Sequence, residues 1–255
     1  MNLYLNQNLA EGYFSNSQIA RVLTEGWVSE NVYCSSCGND NLTEFLNNSP
    51  VADFFCPSCK SQYELKSKKD RFSLKIVDGA YVSMISRINS DNNPHFFFLN
   101  YSKSQLKVIN FVVIPKYYFI DDVIEKRKPL SKNARRAGWI GCNILLKNIP
   151  ENGKIFYIKD GNVIDRKTVL NSWAKTSFLS QQKKENRGWL IEIMKIIDKI
   201  PNLNFKLAEV YKFEDELHNK FPNNNFIKDK IRQQLQVMRD KGLIEFRERG
   251  CYSKV

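Results

Sequence analysis

The sequence predicts an α/β domain followed by a small winged-helix domain, and three observations carry that reading. Two runs dense in β-branched and aromatic residues, "HFFFLNYS" and "LKVINFVVIPKYYF", have the composition of central strands. Beyond a polar, basic stretch, "KTSFLSQQKKENRG", the pattern changes to amphipathic helices. The 255 residues suffice for one sizeable core and a smaller second one. The expected boundary lies near Gln182, giving domains at 1–182 and 183–255.

The elements follow in chain order. "NSQIARVLTEGWVSENV" reads as a helix over its first part, with Ser15 or Ser17 as its cap. "VADFF" and "QYELKSK" read as the two arms of an antiparallel hairpin. "DGAYVSMISRINSDNN" repeats Ala80, Met84 and Ile88 at helical intervals, with Tyr81 and Ile85 alongside. The two dense strands come next, and "NGKIFYIKDGNV" gives a third that runs into an Asp-Gly turn. In the tail, "WLIEIMKIIDKI", "LAEVYKFEDELHNKF" and "FIKDKIRQQLQVMRDKG" predict three helices, and "LIEFRERGCYSKV" two short strands around a basic tip. That succession describes a winged helix, whose third helix enters the major groove of DNA.

The net charge is +12, with basic residues clustered in "ELKSKKDR", "EKRKPLSKNARR" and "QQKKENR". Such clusters are either solvated faces or the footprint of a polyanion, whose phosphates release counterions when neutralised. No window approaches the ~18 apolar residues of a membrane span, and the start lacks a basic n-region with an apolar run. A soluble, cytoplasmic protein without membrane partners, monomeric in solution, is expected. Only two histidines are present, His95 and His218, which weakens any reading built on a histidine base.

Six cysteines are present. Cys34 and Cys37 form one CxxC knuckle and Cys56 and Cys59 a second, at a separation that suits a structural zinc site with four thiolate ligands. Cys142 and Cys251 have no partner in sequence and are expected to be buried as small apolar residues.

The second knuckle lies between two segments with different chemistry. Glu64 and Lys66 are two apart on a strand and project from one face. Asp53, in the preceding arm, is brought beside them by the hairpin. Carboxylates of this kind suit Mg²⁺, which polarises a phosphodiester and acidifies bound water, and an adjacent ammonium can stabilise developing charge. An ExK pair on a strand is also common surface decoration. In this setting the run from Pro50-Val51-Ala52-Asp53 to Glu64-Leu65-Lys66 resembles the signature of the PD-(D/E)xK nuclease superfamily.

A closer resemblance covers nearly the whole chain. "NSQIARVLTEGWV", "PVADFFC", "YELKSKK", "DGAYVSM", "SDNNPHFFFL", "ARRAGWIGCNI" and "KIRQQLQVMRDK" together are similar to the DpnI-like family of methyl-directed type II restriction endonucleases. The resemblance implies Mg²⁺-dependent double-strand cleavage of DNA at G-methyladenine-T-C, with the nuclease domain and the winged helix each recognising the methylated sequence. It places Asp53, Glu64 and Lys66 on the catalytic triad, the four clustered cysteines on a zinc site, and Trp139 on a tryptophan set against the methylated adenines.

A methyl on the adenine amine removes one donor proton and adds an apolar bump in the major groove. Trp139, near Arg135 and Arg136 in a glycine-flanked basic loop, offers an aromatic face for it; a buried core tryptophan is the other reading of the same residue. In the third tail helix Ile227, Ile231, Leu235 and Met238 form the apolar stripe, which turns Asp229, Arg232, Gln233 and Gln236 outward. Arg232, Gln233 and Gln236 are of types that read base edges, while Lys228 and Lys230 suit phosphates. An ordinary solvated helix face accounts for the same pattern. Two other functions remain open on these residues: a non-enzymatic regulator built from a zinc module and a winged helix, and an RNA-binding protein.

Overall fold

The computed structural model describes residues 1–46, 52–70, 73–90 and 93–255. Pro50 and Val51 of the Pro-Val-Ala-Asp run, and Asp91 and Asn92 of "SDNNPHFFFL", lie outside the described residues. The chain divides into two compact units, one of Met1–Lys147 with Asn152–Ala174 and one of Lys175–Val255 with Asn148–Glu151.

The first unit is mixed α/β. Helix α1 spans Asn16–Asn31 behind Ser15, whose hydroxyl lies 2.9 Å from that of Ser17. Strands β1 (Thr43–Glu44), β2 (Phe54–Phe55) and β3 (Gln62–Lys69) are followed by β4 (Lys75–Ala80) and helix α2 (Tyr81–Ile88). Then come β5 (His95–Ser102), β6 (Lys107–Ile114), β7 (Ile124–Lys126), β8 (Gly141–Leu145), β9 (Ile155–Lys159), β10 (Asn162–Val163) and helix α3 (Arg166–Ser177), whose last three residues belong to the second unit. One sheet has the order β1-β2-β3-β5-β6-β9-β10 and a second β4-β8-β7. Among the described residues only β3 and β5 pair in parallel, and the segment joining them carries β4 and α2, as a parallel pairing needs a long crossover.

His95 to Tyr101 are buried throughout, because β5 sits mid-sheet and is covered on both faces. Tyr63 stacks on Phe97 at 4.5 Å, and Trp27 of α1 meets Phe111 edge-on at 5.2 Å. These rings hold α1 against the strands that carry the hairpin.

The second unit contains α4 (Lys184–Lys199), β11 (Asn204–Lys206), α5 (Leu207–Tyr211), α6 (Glu214–Lys220), α7 (Ile227–Asp240), β12 (Ile244–Glu248) and β13 (Cys251–Lys254). The stripe Ile227, Ile231, Leu235 and Met238 is buried, and Gln234 is buried beside it.

Several expectations need correction. The polar stretch around residue 182 is folded: α3 runs to Ser177, a 3₁₀ turn follows over Phe178–Gln181, and α4 begins at Lys184. Phe178 and Leu179 are buried there, and two apolar side chains suffice to fold a polar segment down. The second tail helix is two short ones, interrupted at Lys212 and Phe213. The wing gains a third strand, in the order β11-β13-β12. Asp78 and Gly79, expected at a helix start, belong to β4. Cys142 is buried, whereas Cys251 is half-buried on β13.

Candidate active site and metal centre

The two knuckles are built alike. In the first, Cys34 N–H donates to Asn39 O (2.8 Å) and Gly38 N–H to Cys34 O (2.9 Å); in the second, Cys56 N–H donates to Ser61 O (2.8 Å) and Lys60 N–H to Cys56 O (2.9 Å). Each turn closes on a left-handed residue directly after its second cysteine, Gly38 at φ 77° and Lys60 at φ 62°. Glycine takes that conformation freely, while lysine holds it against its own Cβ. The Lys60 ammonium donates to Pro57 O at 2.7 Å, bridging the same turn.

The four thiols converge, all sulfurs lying within 4.8 Å of one another. Cys34 Sγ is 3.6 Å from Cys59 Sγ, and Cys37 Sγ is 3.6 Å from Cys56 Sγ. A tetrahedron of Zn–S bonds near 2.3 Å has edges of about 3.8 Å, so the cluster has the size and donor set for zinc. Burial pushes the Cys34 thiol up despite the Tyr63 hydroxyl at 3.1 Å. Burial also acts upward on Cys59, but its hydrogen bonds to Ser61, Cys37 and Cys34 outweigh this and bring it down to about 6. With four thiolate ligands no position stays open for water, so the cluster suits scaffolding and not catalysis.

Between the knuckle's arms, β2 and β3 pair antiparallel, with Phe54 opposite Tyr63 and Phe55 opposite Gln62. Asp53 N–H donates to Tyr63 O at 3.0 Å, which carries the ladder one step further and sets Asp53 beside Glu64. Asp53 Oδ2 accepts the Leu65 amide at 2.6 Å, so the carboxylate is fixed by the strand that bears the other two residues.

Lys66 Nζ lies 2.5 Å from Glu64 Oε1 and 2.5 Å from Asp78 Oδ1, and Arg87 Nη1 of α2 lies 2.7 Å from Glu64 Oε2. Burial pushes Glu64 up, against Lys66 and Arg87. Burial acts downward on Lys66, but Glu64 and Asp78 outweigh it and keep the ammonium charged above its ordinary range. Glu64 Oε2 is buried and its near partner is the Arg87 guanidinium at 2.7 Å, so the carboxylate stays anionic in kind and offers the oxygen donors that a hard cation takes. Asp53 and Glu64 thus fit Mg²⁺ by donor type and by their adjacency across the ladder.

Three charged residues at this hairpin went unnoticed in the sequence. Asp78 falls where the helical pattern of "DGAYVSMISRINSDNN" begins, and Arg87 is the one charged residue of α2. Glu25 is on α1. Burial raises its pKa to about 7, Arg21 opposes, and Asp53 and Glu44 add to the rise.

The loop joining β7 and β8 is tied by Leu130 N–H to Trp139 O (2.9 Å) and Gly138 N–H to Leu130 O (3.1 Å). Arg135 and Arg136 are exposed at its tip. Trp139 is half-buried and is not a core residue. Its ring lies over Gly141, where a Cβ would come within 2.8 Å of it, and the Arg136 guanidinium sits 4.7 Å from the ring centre.

On α7, Lys228, Arg232, Gln233 and Gln236 are exposed and Lys230 is half-buried. Arg232 donates to Tyr211 Oη at 2.8 Å and pairs with Asp229; Lys228 pairs with Glu214 at 3.1 Å. Phe226, 71% exposed at the start of α7, lines an open hollow of about 490 Å³ with Asn223, Asn224, Asn225, Lys230 and Gln233. The signal was present as "NNNF" directly before the helix, an apolar residue where the chain gives it nothing to bury against.

Two family models match the chain. One, described as DpnI: Dam-replacing family, matches residues 1–182. The other, described as the Dam-replacing HTH domain, matches residues 185–254.

Proposed function

The chain belongs to the DpnI, Dam-replacing family, and from that premise we propose that it is a Mg²⁺-dependent type II restriction endonuclease cutting double-stranded DNA at adenine-methylated GATC. The first domain, 1–182, is read as a PD-(D/E)xK nuclease and the second, 183–255, as a winged helix. The chain works as a cytoplasmic monomer before it meets DNA. Among the described residues no helix is long and apolar enough to cross a membrane.

The observation that carries the reading is the hairpin register that sets Asp53 beside Glu64, with Lys66 on the same face and hydrogen-bonded into a buried charge network. Asp53 and Glu64 would hold Mg²⁺, which supplies Lewis acidity toward a phosphodiester and lowers the pKa of water. Asp53 is presented by the Leu65 amide and does not need to reorganise when substrate arrives. Lys66 places a fixed positive charge where negative charge develops on phosphorus. Cys34, Cys37, Cys56 and Cys59 hold structural zinc.

Arg135 and Arg136 neutralise phosphates and bring Trp139 to the groove, where its ring meets the adenine methyl groups. Lys228 and Lys230 bind phosphates, and Arg232, Gln233 and Gln236 face base edges. In the free protein Arg232 and Lys228 are occupied by Asp229, Tyr211 and Glu214, so they exchange partners on binding.

The test is incubation with Mg²⁺ and plasmid from methylating and non-methylating hosts. Cleavage confined to methylated plasmid supports the proposal. Binding without cleavage of either plasmid favours a regulator, and preference for RNA over both favours an RNA-binding protein.

A further inference from the structure

Against the catalytic hairpin lies a carboxylate, Asp78, that the proposed chemistry does not use. Asp78 comes from β4, in the second sheet, yet its side chain is only 8% exposed and its Oδ1 lies 2.5 Å from Lys66 Nζ. The pairing of β4 with β8 shifts register between Asp78 and Ala80. Gly79 is the extra residue, and Asp78 keeps its regular place opposite Cys142, on the same side of β4 as Ile76. Behind it, the buried Cys142 thiol donates to Gly79 O at 3.4 Å, fixing the bulge from the neighbouring strand. The strand ladder up to Asp78 and the Cys142 contact just beyond it together fix the backbone that carries this carboxylate.

The two partners of Lys66 are not equivalent. Glu64 is shared between Lys66 and Arg87, and in the reading above it is also a cation ligand. Among the described residues Asp78 forms an ion pair with Lys66 alone. A lysine ammonium on a four-carbon stem is a mobile point charge unless something holds it. A holder that is itself called away by another ligand cannot do so alone.

We infer that Asp78 is a positioning residue for Lys66, anchoring its ammonium toward the scissile phosphate through a contact that does not depend on Glu64. This rests on the nuclease reading. Asp78 touches neither substrate nor cation; it acts through Lys66.

The experiment uses full-length protein, methylated GATC duplex and single-turnover kinetics with enzyme in excess. Asp78→Asn keeps the size and removes the charge, and it should slow cleavage by about 10- to 100-fold, the scale for a group that orients a catalytic one. Affinity for the methylated duplex, measured with Ca²⁺ in place of Mg²⁺, should stay at the wild-type value, as should zinc content. Asp78→Glu should recover part of the lost rate. The combined Lys66→Ala and Asp78→Asn variant should cut no more slowly than Lys66→Ala alone, because the second change has nothing left to position.

A merely structural ion pair would lower duplex affinity and zinc content together with the rate, and its effect would multiply with that of Lys66→Ala; either outcome overturns the inference. So does Asp78→Asn cleaving at the wild-type rate. Should Asp78→Asn fail to fold, Asp78→Ser carries the same comparison. Wild-type protein that cuts neither plasmid overturns the nuclease reading itself, whereas active wild type with an equally active Asp78→Asn overturns this inference alone.

Discussion

Lowering the pH from 7 to 5 should destabilise the first unit by about 2 kcal/mol through His95 alone. The ring is 5% exposed. It meets Trp173 edge-on at 4.7 Å, lies 5.4 Å from Tyr63, and accepts the Lys116 amide at Nδ1 over 3.0 Å. Burial first, and then the Lys116 charge, push its pKa from 6.5 to about 3. Because the folded value is depressed, the unfolded chain takes up the proton first as the pH falls. Stability is therefore full above pH 6.5 and is lost as the pH drops from there toward 3. The slope approaches ~1.36 kcal/mol per pH unit, so the span from 6.5 to 5 amounts to about 2 kcal/mol.

The assay is urea unfolding followed by tryptophan fluorescence, for wild type and His95→Asn, across pH 5 to 8 at constant ionic strength. The variant should be weaker at pH 7, since a packed ring is lost, but its stability should fall less on acidification by that ~2 kcal/mol. Taking the difference between the two curves removes the cysteine ligands and Glu25, which titrate in both proteins. Glu25 has the opposite sign: its raised pKa gives stability that is fully present below the free value of 4.5 and lost as the pH rises through about 7. Parallel curves for the two proteins would refute the assignment of the acid slope to His95.

Chelating the metal, or Cys34→Ser, should lower the folded yield and abolish cleavage. Metal analysis should find one zinc per chain, and a metal-free chain of undiminished stability would count against the scaffold. Lys60→Gly should raise the melting midpoint slightly, since it relieves a left-handed lysine worth about 1 kcal/mol; a lower midpoint means that the Lys60 to Pro57 bridge outweighs the strain. Trp139→Ala should weaken the methylated complex by about 1 to 3 kcal/mol and leave plain-duplex affinity and its salt dependence unchanged. Its cost in stability should fall below the ~3 to 5 kcal/mol of a core tryptophan, and equal losses on both duplexes would make the residue structural.

Features with fixed local spacing were the ones legible from sequence. Each knuckle is a four-residue turn and needs only its neighbours, and the Asp53 and Glu64 arms flank one of them. The continuous burial of β5 and the stripe of α7 likewise imprint their period on adjacent residues. The second sheet left no such imprint. β4 pairs with β8 across residues 81–140, its burial alternates only weakly, and Ala80 extends the helical pattern of α2 backward into the strand. Asp78 was hidden for that reason. β11 has three residues with Phe205 alone buried, too short for any period to register. Glu25 and Arg87 looked like ordinary polar positions on helices, because what distinguishes them is the strand opposite.

The brevity of β2 has a consequence for how this enzyme can fail. Two paired residues carry little information about alignment, and a shift of one place would turn Glu64 and Lys66 to the other side of the strand from Asp53. The four clustered cysteines, once they hold zinc, would close the connection between the arms and favour a single alignment. On the function proposed here, losing zinc would separate Asp53 from Glu64 and Lys66 at once instead of loosening the site by degrees. An endonuclease that fails this way falls silent before it becomes indiscriminate.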